Sequence, residues 1–147
     1  TSDIKESKNK SDQIISDRQK SDVDGMDTVS AYQNLIKENI DYDSLLIAHQ
    51  YDEALIQGIY ELILETVLCS SEKTLIASNW YPAELVRSKF LKLNYSHIEY
   101  VLDCFKKNTS KVKNIKKYML AALFNAPTTI DGYYKAEVNH DMPQFAV

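Results

Sequence analysis

Residues 106–127, "KKNTSKVKNIKKYMLAALFNAP", carry six lysines and no acidic residue, then turn apolar and reach a proline. Ammonium groups at this density do one of three things. They contact the phosphates of a nucleic acid, they meet an acidic protein surface, or they solvate one face of a helix. Lys113, Lys116 and Lys117 are the centre of the cluster, with Lys106, Lys107 and Lys111 as its rim. Lysine is a point charge that steers more than it grips, so contact with either partner would be salt-sensitive. Lys113 and Lys117 lead toward Phe124. An exposed ring there would suit a single strand of nucleic acid, and a buried one would favour protein docking or plain solvation.

Other residue types that carry chemistry do not assemble into a site. There is no glycine-rich phosphate loop, no GxSxG and no HExxH. His49, His97 and His140 are scattered and read as surface or capping histidines rather than metal ligands. Cys69 and Cys104 lack CxxC partners and sit in apolar helical patterns, so they read as buried free thiols of a reducing compartment. Glu38, Asp41, Asp43, Asp52, Glu53, Glu61, Glu65 and Glu72 form an acidic tract free of lysine and arginine. They match no calcium-loop pattern, and they read as solvated helix faces or a docking surface. Catalytic, cofactor and metal residues are therefore expected to be none.

The net charge of −4 is sorted along the chain, acidic before Lys73 and basic after it. Overall acidity argues against a dedicated duplex-DNA binder and leaves a local basic site open. Apolar residues at 44% suffice for one core in 147 residues, and three glycines and three prolines are too few for a turn-rich sheet protein. No apolar run is long enough to span a bilayer, and the polar N-terminus has no signal-peptide core. The absence of an initiator Met suggests a piece of a longer protein.

The elements that must position the lysines are helical. Residues 1–27 are dominated by Ser, Asp, Lys and Gln and read as a flexible interdomain linker. From Thr28, with Asp27 or Thr28 as cap, Val29, Tyr32, Leu35 and Ile36 make one apolar face. A short helix is expected in "DYDSLLIAHQ". "DEALIQGIYELILETVLCS" is apolar nearly all round, apart from a stripe of Glu53, Gln57, Glu61 and Glu65, and should lie centrally. "KTLIASNWYPAE" breaks the rhythm and reads as an extended segment packing Leu75, Ile76 and Trp80 on the helices. Pro82 suits a helix start, and Ser96 with Glu99 has capping-box spacing for the helix that follows. A helix over about 111–125 would place Val112, Ile115, Met119, Ala122, Leu123 and Ala126 inward. Pro127 would end it, and a last helix from Thr128 or Thr129 would cover Phe124 with Tyr133 and Tyr134.

Three stretches, "YQNLIKENIDYDSLL", "FLKLNYSHIEYVLDCF" and "NIKKYMLAALFNAPTTIDGYYKAEVNHD", carry a family resemblance. Together they resemble the C-terminal domain of RepA-type plasmid replication initiators of low-GC Gram-positive bacteria such as staphylococci, over roughly residues 30–141. That family is similar to the DnaD-type primosomal and helicase-loader proteins. The resemblance implies a winged-helix, origin-binding N-terminal domain outside this chain, through which any oligomer would form. It further implies a linker and a helical C-terminal domain that contacts the host replication machinery, including primase. DnaD-type domains carry a YxxxIxxxW motif linked to DNA binding. Here Tyr118 is kept, while Ala122 and Ala126 stand for the Ile and Trp. Loss of the Trp removes a stacking group and shifts the implied partner from DNA to protein.

The expectation is an all-α, DnaD-like compact bundle of about six helices over residues 28–147, preceded by the polar linker. It would be a non-enzymatic, cytoplasmic bacterial module with no cofactor and no membrane contact. Its partner would be host primase first, or the replicative helicase. Two alternatives stand beside it: a module binding single-stranded or non-specific DNA at the melted origin, and a structural oligomerisation domain with an exposed apolar patch.

Overall fold

The most apolar helix is the hub. A computed structural model describes the backbone of residues 22–141 and the side chains of residues 27–132. Six α-helices and one two-stranded hairpin follow in order: α1 (Asp22–Ile40), α2 (Tyr42–Ala48), α3 (Glu53–Val67), β1 (Lys73–Ile76), β2 (Asn79–Pro82), α4 (Ala83–Leu91), α5 (Tyr95–Asn108) and α6 (Ile115–Asp141). Short 3-10 turns at Gln50–Asp52 and Thr109–Lys111 link α2 to α3 and follow α5. Helix α3 touches α1, α2, α4 and α6. It buries Ile56, Ile59, Tyr60, Leu62, Ile63, Thr66 and Val67 while Glu53, Gln57, Glu61 and Glu65 stay exposed. Burial on this scale stabilises by roughly 1.5–3 kcal/mol per large side chain. The all-α expectation holds, with a helical bundle around one core.

Local signals explain most of the element ends. Asp41 adopts a left-handed conformation (φ 52°) that turns α1 into α2. The Arg87 guanidinium donates to the carbonyls of Val67 (2.9 Å) and Cys69 (3.3 Å), tying off the end of α3. The Asn39 amide does the same for Leu91 at the end of α4 (2.9 Å).

Four boundaries differ from the sequence expectation. Helix α1 starts at Asp22, so Asp27 and Thr28 lie inside it rather than at its N-terminus, and residues 22–27 are helical; the rest of the expected linker lies outside the described residues. The box at the start of α5 is made by Asn94 and His97, not Ser96 and Glu99. The Asn94 side chain accepts from the His97 N–H (3.0 Å), and His97 Nδ1 accepts from the Asn94 N–H (3.1 Å). Helix α6 begins at Ile115, because the Asn114 side chain caps it by accepting from the Lys117 N–H (3.0 Å). It then runs through Pro127 to Asp141 as one helix. Leu123, Ala126 and Ile130 are buried on both sides of the proline, so tertiary packing carries the helix across the missing hydrogen bond. The side chains of Asn125 and Thr129 bond the carbonyls of Ala121 and Asn125 around it.

The expected extended segment is an antiparallel hairpin, with Thr74 opposite Tyr81 and Leu75 opposite Trp80. Its turn residues Ala77 and Ser78 both have positive φ (51° and 69°), the backbone sign of a two-residue hairpin turn, without the glycine or asparagine that normally announces one. Only one face packs inward. Ile76 is buried, whereas Leu75 is 44% and Trp80 64% exposed, contrary to the expectation that both pack on the helices.

Candidate functional site: a basic groove beside an exposed hairpin face

The six lysines fall into two groups. Lys106 pairs with Asp52 and Lys116 with Glu65 (2.9 Å), both across to the acidic helix α3 and the turn before it. Lys107 pairs with Asp103 one turn back on α5 (3.0 Å). These pairs are largely exposed and each is worth at most about 1 kcal/mol. They nevertheless decide which cations are already matched. Lys111, Lys113 and Lys117 are exposed and have no ion pair among the described residues.

Those three lysines sit together because α6 starts late. Lys111 closes the 3-10 turn, Lys113 lies in the connection rather than on the expected helix face, and Lys117 occupies the third position of α6. With Ala77, Asn114 and Tyr118 they line an open groove of about 630 Å³ between the hairpin tip and the start of α6. A second groove adjoins it, lined by Leu75, Ala77, Asn114, Lys116, Lys117 and Leu120. Among the described residues, no acidic side chain lines either.

This arrangement runs against helix electrostatics. The first turn of α6 has no acidic residue and holds Lys116 and Lys117, where the helix dipole already concentrates positive charge. A sequence selected only for stability would place Asp or Glu there. Departures from local preference of this kind tend to mark functional sites.

Phe124 is buried, 5% exposed, between the Tyr81 ring (centroids 4.7 Å apart) and the Lys89 ammonium (4.4 Å from its centroid). It does not extend the lysine stripe. The covering role expected of Tyr133 and Tyr134 lies outside the described side chains, and Tyr81 of β2 performs it. Of the motif-equivalent positions, Tyr118 edges the lysine groove half-buried and Ala126 faces inward. Tyr118 stacks on Phe105 of α5 (5.9 Å), Ala122 is half-buried, and Ala126 is fully buried. Ile115, expected inside, is 54% exposed.

Trp80, expected in the core, is instead 64% exposed, on the hairpin face whose Leu75 lines the second groove. Trp80 stands on the outer hairpin face with Lys73, Leu75 and Pro82, all exposed. Alternation along the strands puts these four residues on one side, but only the neighbours of a hairpin decide which side is outside. Among the histidines, His49 contacts Glu99 (2.8 Å), and His97 caps α5; the side chain of His140 lies outside the described residues. Cys69 and Cys104 are free and half-buried. Among the described residues, no three His, Cys, Asp or Glu side chains cluster to hold a metal, and no helix is long and apolar enough to cross a membrane.

No match was found among curated proteins or among solved structures. One family profile, described as a family of unknown function, DUF6017, matches residues 2–144. Since the match takes in nearly every residue of the sequence, helices, hairpin and lysine cluster together, the chain belongs to the DUF6017 family.

Proposed function

We propose that this chain is the C-terminal module of a plasmid replication initiator and that it recruits a host replication protein, primase first, to the origin. The mechanism is tethering. A separate domain holds the DNA, the linker sets the effective concentration, and this module captures the partner. The module performs no chemistry of its own in this scheme.

Burial of Phe124 is the observation that carries the choice of a protein partner. The lysine stripe ends on a ring that is already packed between Tyr81 and Lys89, so it offers no base-stacking step. The engagement of Tyr118 with Phe105 and the burial of Ala126 agree with that choice. Unpaired Lys111, Lys113 and Lys117, in grooves without acidic lining, suit an acidic protein surface.

A second reading has one observation in its favour. Trp80 is exposed, its cross-strand neighbour Leu75 lines the groove that holds Lys117, and its ring could stack a base, which would make this a single-stranded DNA module at the melted origin. The two readings separate in parallel titrations of the chain with purified primase, with replicative helicase and with a labelled oligonucleotide at several salt concentrations. Saturable primase or helicase binding without oligonucleotide binding supports recruitment. Oligonucleotide binding with a steep salt slope, and none of either protein, contradicts it.

A further inference from the structure

We infer that the outer face of the β1–β2 hairpin and the lysine groove beside it form one docking surface for an acidic amphipathic helix of the partner protein. The inference rests on the recruitment reading and adds its surface and the chemistry of the segment it takes.

The surface has an apolar half and a basic half in direct continuity. Leu75 and Trp80 are cross-strand neighbours, and Lys73 and Pro82 form the next pair on the same face. Leu75 also lines the groove that contains Lys116 and Lys117. That groove shares Ala77, Asn114 and Lys117 with the one holding Lys111 and Lys113. A ligand lying along this path meets a tryptophan and a leucine first and unpaired ammonium groups next. Tryptophan is among the residues that most often carry binding energy when desolvated at an interface. An exposed Trp–Leu pair with no core function has its energetic reason in being covered.

Charge complementarity names the occupant. Lys111, Lys113 and Lys117 have no carboxylate partner among the described residues, and no acid lines the grooves. An amphipathic helix with an apolar stripe and flanking Asp or Glu satisfies both halves at once. A nucleic-acid strand satisfies only one. Stacking successive bases needs a row of rings, but Tyr81, Tyr118 and Phe124 are engaged with other rings, and on the outer hairpin face, among the described residues, Trp80 is a single exposed ring. Lysines at the start of α6 lower helix stability, so their placement is explained by the negative charge of a partner.

Trp80 is the single tryptophan of the chain and reports directly on the surface. The test selects binders of the whole chain from a displayed library of helical peptides of about 16 residues, or roughly four turns. Selected peptides free of tryptophan are then titrated while Trp80 emission is followed. The expected peptides carry apolar residues at helical spacing with flanking Asp or Glu, and their binding shifts the emission to the blue. Trp80→Ala, and separately the Lys113→Glu/Lys117→Glu double variant, each weaken them by about tenfold or more, equivalent to 1.4 kcal/mol. All these positions are exposed, so the variants keep the core intact. Selection of basic peptides, of none, or of peptides whose binding leaves the emission unmoved overturns the inference. So does an oligothymidine strand that shifts the emission in a lysine-dependent way. Purified primase in the same assay separates the two levels. Primase binding with unmoved Trp80 emission overturns this surface and leaves recruitment standing. Acidic peptides that bind and shift the emission, with no primase binding, support the surface and remove primase as the partner.

Discussion

Single residues in this molecule take roles that their neighbours impose. His97 is the clearest. Its Nδ1 accepts from the Asn94 N–H, which requires the neutral ring. Burial lowers its pKa from 6.5, and the Asp131 carboxylate of α6 opposes that shift only in part. A folded state that disfavours protonation binds fewer protons than the unfolded chain, so the cap's contribution is complete above pH 6.5 and declines as pH falls below it. The expected outcome is a melting temperature that drops between neutral pH and pH 5, with a smaller drop in His97→Gln, whose amide keeps the box without titrating. Equal pH slopes in the two proteins would refute this role. Lys117 illustrates the opposite bias. Glutamate at this position would face the positive end of α6 and reach back to the Asn114 N–H, completing a second capping box. Lys117→Glu should therefore raise stability by roughly 0.3–1 kcal/mol, or a few degrees in melting temperature, while weakening partner capture. Stability and binding moving in opposite directions is the signature of a residue kept for function.

At the scale of elements, the sequence expectations succeed where burial is repeated and fail where a single local group decides. The central position of α3 is legible because apolar residues cover most of its circumference, and its exposed glutamate stripe is legible for the same reason. The start of α6 is not. Lysine spacing continues a helical rhythm back to Lys111, and one hydrogen bond from Asn114 overrides it. Pro127 misleads in the other direction, since buried Ala126 and Ile130 hold the helix together across it. The hairpin reads from sequence as one extended segment because Ala77 and Ser78 are poor announcers of a tight turn. Their positive φ values cost each residue about 1 kcal/mol or more. Replacing the pair with Asn-Gly should stabilise the chain by roughly 1–2 kcal/mol in denaturant unfolding, leaving the Leu75–Trp80 pair in register. A loss of stability would mean that the turn is held by contacts other than its own backbone.

Among the described residues, the lysine cluster divides into members that are ion-paired and members that are not. The net charge is −4, yet acids on α3 and the preceding turn hold Lys106 and Lys116, and α5 holds Lys107 within its own length. The three remaining lysines of the cluster, Lys111, Lys113 and Lys117, line the groove beside the hairpin tip. The lysine cluster itself was visible in the sequence; its division into paired and unpaired members was not, because the pairings of Lys106 and Lys116 join residues 54 and 51 positions apart, and only that of Lys107 with Asp103 is local. The exposed Trp80 was equally hidden, since a large apolar side chain reads as core until the fold of the described residues leaves it 64% exposed. Debye screening near 0.15 M salt acts over about 8 Å, so a partner held by these lysines should bind most tightly at low salt.

The most direct test of recruitment follows labelled chain binding to purified primase by anisotropy across a salt series, for the native sequence and for Lys113→Glu/Lys117→Glu. Recruitment through this basic site predicts saturable binding by the native chain that weakens with salt. It also predicts a double variant at least as heat-stable, with affinity lower by about tenfold or more and a flatter salt dependence. Primase binding that is absent, or that the double variant leaves unchanged at every salt concentration, would contradict it.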